Sequence, residues 1–169
     1  QIDLADFSNF GRQNGGYKWV MVIVDTLSSY LRVKACKTKS GNEISRAISE
    51  IFEEAKVSPI SICVDYGKEW YNRDVFELME RKNVVMYSTQ NTDIKCSQAE
   101  RMIRVLRNRI ARYQEASGSW RFIDHLQDFA SSINSSVNRT IKMAPKDVSK
   151  DNEKEVFNRR YQSKAFKEY

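Results

Sequence analysis

The chain of 169 residues carries 28 Lys and Arg against 22 Asp and Glu, which gives a formal net charge of +6. Its hydrophobic content of 41%, with only 2 Pro and 6 Gly, indicates one folded domain rather than a disordered or fibrous chain. The longest apolar run, at 19–24, is too short to cross a bilayer, so we expect no membrane span. Three widely separated cysteines exclude a disulfide framework and a zinc ribbon.

The hydrophobic pattern predicts five strands, the first three joined by short turns that favour antiparallel pairing. A helix follows the third strand, because Ser40 and Glu43 form a capping box in which both side chains are expected to accept from free backbone donors. The predicted strands lie at 1–10, 17–25, 31–35, 60–64 and 84–87. The predicted helices lie at 41–55, 74–81, 97–113 and 122–137, with a weaker one at 156–165. This order predicts an α/β fold in which helices flank a mixed sheet.

The positive charge is concentrated in one predicted helix and its flanks. Seven cations and two acids lie between Lys95 and Arg121, so this stretch alone has a net charge of +5. On an ideal helix Arg104 and Arg107 lie on the same face as Glu100. Such a face is either simply solvated or binds phosphates, and composition leaves both interpretations open.

Three carboxylates lie close to predicted apolar segments, and together they favour a metal site. Asp3 lies in the first strand, Asp65 ends a buried strand, and Glu100 begins the basic helix. Carboxylates brought together repel one another unless cations neutralise them, and Mg²⁺ or Mn²⁺ suits oxygen ligands better than Zn²⁺ does. The alternatives are a helical ion pair between Glu100 and Arg104 and a plain turn at Asp65, while Asp6 could replace Asp3 as a ligand.

Several segments resemble the catalytic cores of retroviral-type integrases, which have the RNase H-like fold, and most closely those of Maverick/Polinton DNA transposons. The resemblance covers nearly the whole chain. The matching segments are QIDL (1–4), VDTLSSY (24–30), KTKSG (37–41), VDYGKEWYN (64–72) and YSTQNTDIK (87–95), which runs into Ala99, Glu100 and Arg101, with Asn134, Arg139, Ile141, Met143, Ala144, Pro145 and Val148 further on.

The resemblance implies a five-stranded RNase H-like sheet and an acidic triad of Asp3, Asp65 and Glu100, with 34 residues between the last two. These carboxylates would hold two Mg²⁺ or Mn²⁺ ions for 3′-end processing and strand transfer of DNA. No nucleotide cofactor is implied, since Gly15-Gly16 lacks the context of a phosphate-binding loop. We expect DNA phosphates to contact Lys95, Arg104, Arg107 and, more weakly, Lys37 and Lys39.

Partners and organisation follow from the same resemblance. The expected partners are transposon ends, target DNA and further copies of the chain, in a nuclear protein. The helix at 120–137 offers Trp120, Phe122 and Phe129 as dimer anchors, while a core role is expected for at least half of them. We expect residues 1–149 to form the catalytic core of a longer protein and 150–169 a charged helix or connector. The rival functions are a domesticated binding or dimerisation module and an RNase H-type nuclease.

Overall fold

The structure, a computed structural model, describes residues 1–88 and 97–162. Its first three strands form an antiparallel sheet in the order β1-β2-β3, with β1 at Ile2–Asp6, β2 at Trp19–Val24 and β3 at Leu31–Cys36. Asp3 in β1 is registered against Val22 in β2. The predicted meander is therefore confirmed.

The other two strands, β4 at Ser61–Val64 and β5 at Val85–Ser88, pair in parallel. β4 lies beside β1, but within the described residues the hydrogen-bonded ladders divide into a three-stranded and a two-stranded sheet. Ile2 of β1 and the β4 residues Ile62 and Val64 belong to one buried apolar cluster. Side-chain packing thus joins the two sheets, whereas the resemblance implied a single five-stranded sheet.

Within residues 1–88 and 97–162 five helices accompany the strands, as the hydrophobic pattern predicted. They are α1 at Gly41–Ala55, α2 at Arg73–Lys82, α3 at Ser97–Ser117, α4 at Leu126–Ser135 and α5 at Glu153–Phe157, which continues as a π-helical turn over Asn158–Gln162. Among the described residues, none of the helices combines the length and apolar character needed to cross a membrane.

Helices cover both faces of the antiparallel sheet because alternate strand residues point to opposite sides. Val22 and Val33 pack with the α3 residue Leu106 in one buried cluster. Met21 packs with Ile48 of α1 in the other cluster. The fold is a mixed α/β architecture of the RNase H-like type, so the predicted fold class is confirmed.

The N-terminus of α1 differs from the predicted capping box in one bond. Ser40 accepts from the backbone N–H of Glu43, as expected. The Glu43 carboxylate instead accepts from the backbone N–H groups of Lys37 and Thr38, at 2.6 and 2.8 Å. Glu43 therefore closes the turn between β3 and α1, which holds the loop that carries Lys39 close to the sheet.

The helix predicted at 122–137 begins later than the pattern indicated. A 3₁₀ turn at Ile123–His125 precedes α4, and the donors at its start are satisfied by a residue distant in sequence. The fully buried Asn14 accepts from the N–H groups of Phe122 and Ile123, at 2.9 and 3.0 Å. Phe122 is itself buried beside Phe7, so it is a core residue and not a dimer anchor.

The end of the described chain packs against the remainder of the domain. Val156 of α5 is fully buried, and Arg160 donates a 2.7 Å hydrogen bond to the Ser29 hydroxyl and a longer one to Gln98 of α3. The proposed boundary at residues 149 and 150 remains a prediction. Arg160 and Tyr161 both contact the fold that holds the carboxylates.

Candidate active site

Asp3 lies in the central part of β1 and is half-buried. Burial raises the pKa of its carboxyl from 3.8 to about 6, and the hydrogen bond from the backbone N–H of Leu4 only partly offsets this. The negative charges of Asp65 and Glu100 raise it further, while the ammonium of Lys39 lowers it. Asp3 therefore lies within the electrostatic range of both other predicted ligands.

Asp65 directly follows β4 and is exposed. Its Oδ1 accepts hydrogen bonds from the indole Nε1 of Trp70, at 2.7 Å, and from the backbone N–H of Gly67, at 3.0 Å. A Cβ at Gly67 would lie 2.9 Å from this oxygen and 2.5 Å from Oε2 of Glu69. A side chain at this position would therefore displace the ends of both carboxylates.

Glu100 is exposed in the first turn of α3, where the helix dipole favours a negative charge. The Gln1 side chain ties this end of α3 to the sheet, since its Oε1 accepts from the N–H groups of Gln98 and Ala99 at 3.0 and 3.2 Å. Within the described residues Glu100 forms no ion pair with Arg104, which the sequence had offered as an alternative role.

The three carboxylates come from three separate elements and interact electrostatically around Asp3. Their chemistry suits a hard divalent cation, since all the donors are carboxylate oxygens. Among residues 1–88 and 97–162, however, no three His, Cys, Asp or Glu side chains lie close enough together to hold a metal ion. The donor set therefore fits Mg²⁺ or Mn²⁺ in its chemistry, whereas the three carboxylates are not gathered into a metal site in this arrangement.

Two of the predicted DNA-binding lysines lie in the turn between β3 and α1. Lys39 donates to Oε1 of Glu69, at 2.9 Å, and its Nζ lies 4.2 Å from the centroid of the Trp19 ring. Lys37 is exposed, with its Nζ 5.3 Å from the Tyr17 ring centroid. Lys39 is thus an internal counter-ion of the site, whereas Lys37 faces solvent.

The predicted arginines lie on α3, beyond Glu100. Arg104 and Arg107 are both exposed. Arg107 also donates a long hydrogen bond of 3.4 Å to the backbone oxygen of Asp6, so its guanidinium lies beside the end of β1. Lys95, the remaining predicted phosphate contact, lies outside the described residues.

Sequence reasoning missed Trp70 and Glu69 as parts of the site. Trp70 is fully buried and orients Asp65, and Glu69 orients Lys39. Burial disfavours ionised Glu69, but the hydrogen bond from Lys39 holds the pKa of its carboxyl below the usual range. Glu69 and Trp70 lie four and five residues after Asp65. A charged and an aromatic residue that follow the acid so closely in sequence were the available signal.

The architecture defined by these strands and helices is that of retroviral integrase catalytic cores. The simian T-cell lymphotropic virus intasome in complex with PP2A regulatory subunit B56 gamma matches with a TM-score of 0.75 over 86% of this chain and 51% of its own. The magnesium complex of the HTLV-2 integrase catalytic core, in trimeric form, matches with a TM-score of 0.68 over 86% and 89%. The BIV integrase core matches with a TM-score of 0.70 over 91% and 94%. Each is 15% identical, which shows a shared fold.

Sequence comparison adds two relatives. An uncharacterised transposon-derived protein of Caenorhabditis elegans is 38% identical over 141 residues, which are 83% of this chain and 49% of that protein. The Gag-Pol polyprotein of avian reticuloendotheliosis virus is 27% identical over 122 residues, or 69% of this chain and 10% of the polyprotein. The chain thus spans about half the length of the worm relative. No family model matches it. The chain is an integrase-like core with a transposon-derived relative.

Proposed function

We propose that this chain is the catalytic core of a DNA integrase, a polynucleotidyl transferase that processes DNA 3′ ends and joins them to target DNA. The observation that carries the proposal is the electrostatic coupling of Asp3 to Asp65 and Glu100, three carboxylates supplied by β1, the end of β4 and the start of α3. A carboxyl whose pKa is raised by burial and by neighbouring charges, as at Asp3, is a frequent feature of catalytic sites. The fold and the transposon-derived relative support the same function.

In this proposal Asp3, Asp65 and Glu100 hold Mg²⁺ or Mn²⁺. When bound, the metal would lower the pKa of an attacking water or 3′-hydroxyl and stabilise the leaving oxygen of an in-line displacement at phosphorus. Asp3 must be ionised for this purpose, and a bound cation would favour the ionised form and so oppose the effect of burial on its pKa. Trp70 fixes one Asp65 oxygen, and Lys39 neutralises part of the remaining negative charge.

The arginines of α3 would bind and orient DNA. Arg104 and Arg107 are exposed on the helix that begins with Glu100, so phosphates held there would lie beside the carboxylates. Contacts of this kind set register and affinity rather than base sequence. Lys37 would extend the same positive surface from the turn before α1.

Three finer statements belong to the proposal. The integrase would be of the Maverick/Polinton type, would act in the nucleus, and would assemble at least as a homodimer because it must act on two paired DNA ends. Trp120 is exposed and stacks on Phe10, with ring centroids 5.3 Å apart, so it remains a candidate dimer anchor, and Phe129 is half-buried. Sedimentation of the wild type and of Trp120→Ala at tens of micromolar tests this assembly, which predicts a dimer weakened by the substitution.

The chemical experiment uses a branched DNA that mimics a strand-transfer product, since reversal of joining requires no matched end sequence. With Mn²⁺, the wild type should release one strand and reseal the other. Asp3→Asn, Asp65→Asn and Glu100→Gln should each lower the rate about a hundredfold or more. Asp6→Asn is the matched control and should retain activity, because the Asp6 carboxylate instead accepts from the N–H of Ser8 at 2.8 Å.

The products of this reaction separate the rival functions. Strands that are cut but never resealed, together with cleavage of an RNA–DNA hybrid, would identify a nuclease. Full DNA binding without metal-dependent chemistry would identify a domesticated binding module. Either result would contradict the integrase proposal.

A further inference from the structure

Three aromatic rings form an exposed cluster directly after Asp65. Tyr66 is 61% exposed, Tyr71 38% and Phe76 48%. The Tyr66 and Tyr71 rings are stacked, 16° from parallel with centroids 6.1 Å apart, and Phe76 meets Tyr71 edge-on at 6.0 Å. Single exposed aromatics are ordinary, but contiguous exposed rings mark a surface that binds something. We call these three residues the aromatic platform.

The platform is connected to the candidate active site by hydrogen bonds. The Ser88 hydroxyl at the end of β5 donates to the backbone oxygen of Asp65 at 3.1 Å. Because its single proton is used there, Ser88 accepts from the Tyr71 hydroxyl in a short hydrogen bond. Tyr66 lies between Asp65 and Gly67, whose N–H holds the Asp65 carboxylate. The rings are therefore held at a fixed place beside that carboxylate.

The exposed ring faces and their place beside Asp65, rather than local charge, favour a nucleobase as the occupant, since residues 65–77 hold four acids against two cations. The chain carries a net charge of +6, and the exposed Lys68 lies within the turn between Tyr66 and Tyr71. Arg73 begins α2 between Tyr71 and Phe76, and its side chain is 87% exposed although it pairs with Glu77. Cations interleaved with aromatic rings are the features that bind single-stranded nucleic acid, with phosphates on the charges and bases on the rings.

We infer that the aromatic platform stacks an unpaired DNA base at the point where a strand enters the active site. The inference rests on the proposed function, because DNA beside Asp65 is what supplies the base. A base within a duplex already has both faces stacked, whereas a frayed end leaves faces that an aromatic ring can cover. The platform thus makes this site selective for DNA whose terminal base pairs are open.

The test measures binding of the full chain to two hairpin DNAs of equal length and phosphate number, in the absence of divalent metal so that no strand is cut. One hairpin ends in matched base pairs, and the other ends in two mismatched pairs with 2-aminopurine at the unpaired terminal position. The wild type should bind the open end about tenfold more tightly, with quenching of the 2-aminopurine fluorescence on stacking.

Variants assign that preference to particular rings. Tyr66→Ala and Tyr71→Ala should bind both hairpins with the affinity of the matched one and should not quench 2-aminopurine. Tyr71→Phe keeps the ring and should retain the preference. Phe157→Ala is the matched control, since Phe157 is 52% exposed on α5, and it should behave as the wild type. Thermal unfolding by circular dichroism confirms that each variant is folded.

The outcomes separate this inference from the function on which it rests. Equal wild-type affinity for the two hairpins, or equal loss for both in the alanine variants, overturns the platform. Unchanged DNA binding with altered sedimentation of Tyr66→Ala also overturns it, because the surface would then contact protein. A preference for open ends without activity on branched DNA contradicts the integrase proposal and supports the aromatic platform. Activity on branched DNA without the preference supports the integrase proposal and contradicts the platform.

Discussion

The indole Nε1 of Trp70 donates a 2.7 Å hydrogen bond to Oδ1 of Asp65, although Trp70 is fully buried and Asp65 is exposed. The ring packs in the apolar cluster beneath α1 and α2, so the core itself holds the carboxylate. Within the described residues Oδ1 also accepts from Gly67, and Oδ2 accepts no hydrogen bond. One oxygen is thus fixed, and the other is left for a ligand.

Trp70→Phe should destabilise the protein by removing this bond and part of the buried ring. We expect the free energy of unfolding to fall by about 2–4 kcal/mol, measured by urea denaturation. Asp65→Asn keeps an oxygen acceptor for the indole and should cost less. Trp120→Phe, at an exposed position, should change stability by less than about 0.5 kcal/mol. Wild-type stability of Trp70→Phe would contradict the anchoring role.

The raised pKa of Asp3 should make the free energy of unfolding fall as the pH rises. Its folded pKa of about 6 lies above the ordinary 3.8, so between these values the folded chain binds more protons than the unfolded chain. Its contribution is complete below about pH 4 and is lost as the pH rises through 6. Asp3→Asn should remove this slope and stabilise the protein at pH 7 by about 1–2 kcal/mol, a value reduced for solvent screening.

The measurement is a series of urea unfolding curves at about pH 4, 5, 6 and 7. Asp6→Asn is the control with the opposite sign, because hydrogen bonds from Ser8 hold the pKa of Asp6 below its usual range. The ionised Asp6 therefore stabilises the fold above its unfolded pKa. Asp6→Asn should lower the free energy of unfolding at pH 7 and leave it unchanged in acid. Parallel curves for wild type and Asp3→Asn would contradict the prediction for Asp3.

Local patterns were sufficient to predict the elements that position the site. The apolar run at 19–24 predicted β2, and Ser40 marked the start of α1, because both signals depend on neighbours within a few residues. The helix at 122–137 was predicted too long at its start. Asn14, more than a hundred residues away in sequence, satisfies the donors there, and no local pattern reveals such a partner.

The candidate site was predictable in its acids but not in their environment. Asp3, Asp65 and Glu100 were selected by strand position and resemblance, and burial of Asp3 beside two other charges depends on packing that only the fold supplies. The bond between Lys39 and Glu69 joins residues 30 apart in sequence and makes Lys39 a counter-ion of the site, while its contact with DNA stays a prediction. A spacing rule cannot detect that pairing.

Lys39→Gln should raise the pKa of Asp3 further, because the ammonium of Lys39 favours the ionised carboxylate. A carbon-detected NMR titration of the Asp3 carboxyl measures the midpoint directly. The matched control is Lys37→Gln, two residues away in the same turn and exposed, which should leave the midpoint unchanged. Equal shifts in the two variants would mean that Lys39 acts only through the net charge of the surface.

Arg104 and Arg107 should contribute to DNA affinity through phosphates, so the effect of substituting them should depend on salt and not on base sequence. Binding to a blunt duplex is measured by fluorescence anisotropy between about 50 and 200 mM salt. Each neutralised contact should reduce the slope of log K against log salt by about 0.9, so Arg104→Gln with Arg107→Gln should reduce it by about 1.8.

Arg112→Gln is the matched control for this surface. Arg112 is exposed on the same helix, but ideal helix geometry turns it about 120° around the axis from Glu100, whereas Arg104 lies on the Glu100 face. A surface directed at the carboxylates requires Arg104→Gln to reduce the slope and Arg112→Gln to leave it near the wild-type value. An equal reduction in both variants would show that α3 attracts DNA through its overall charge, with no preferred face beside the candidate active site.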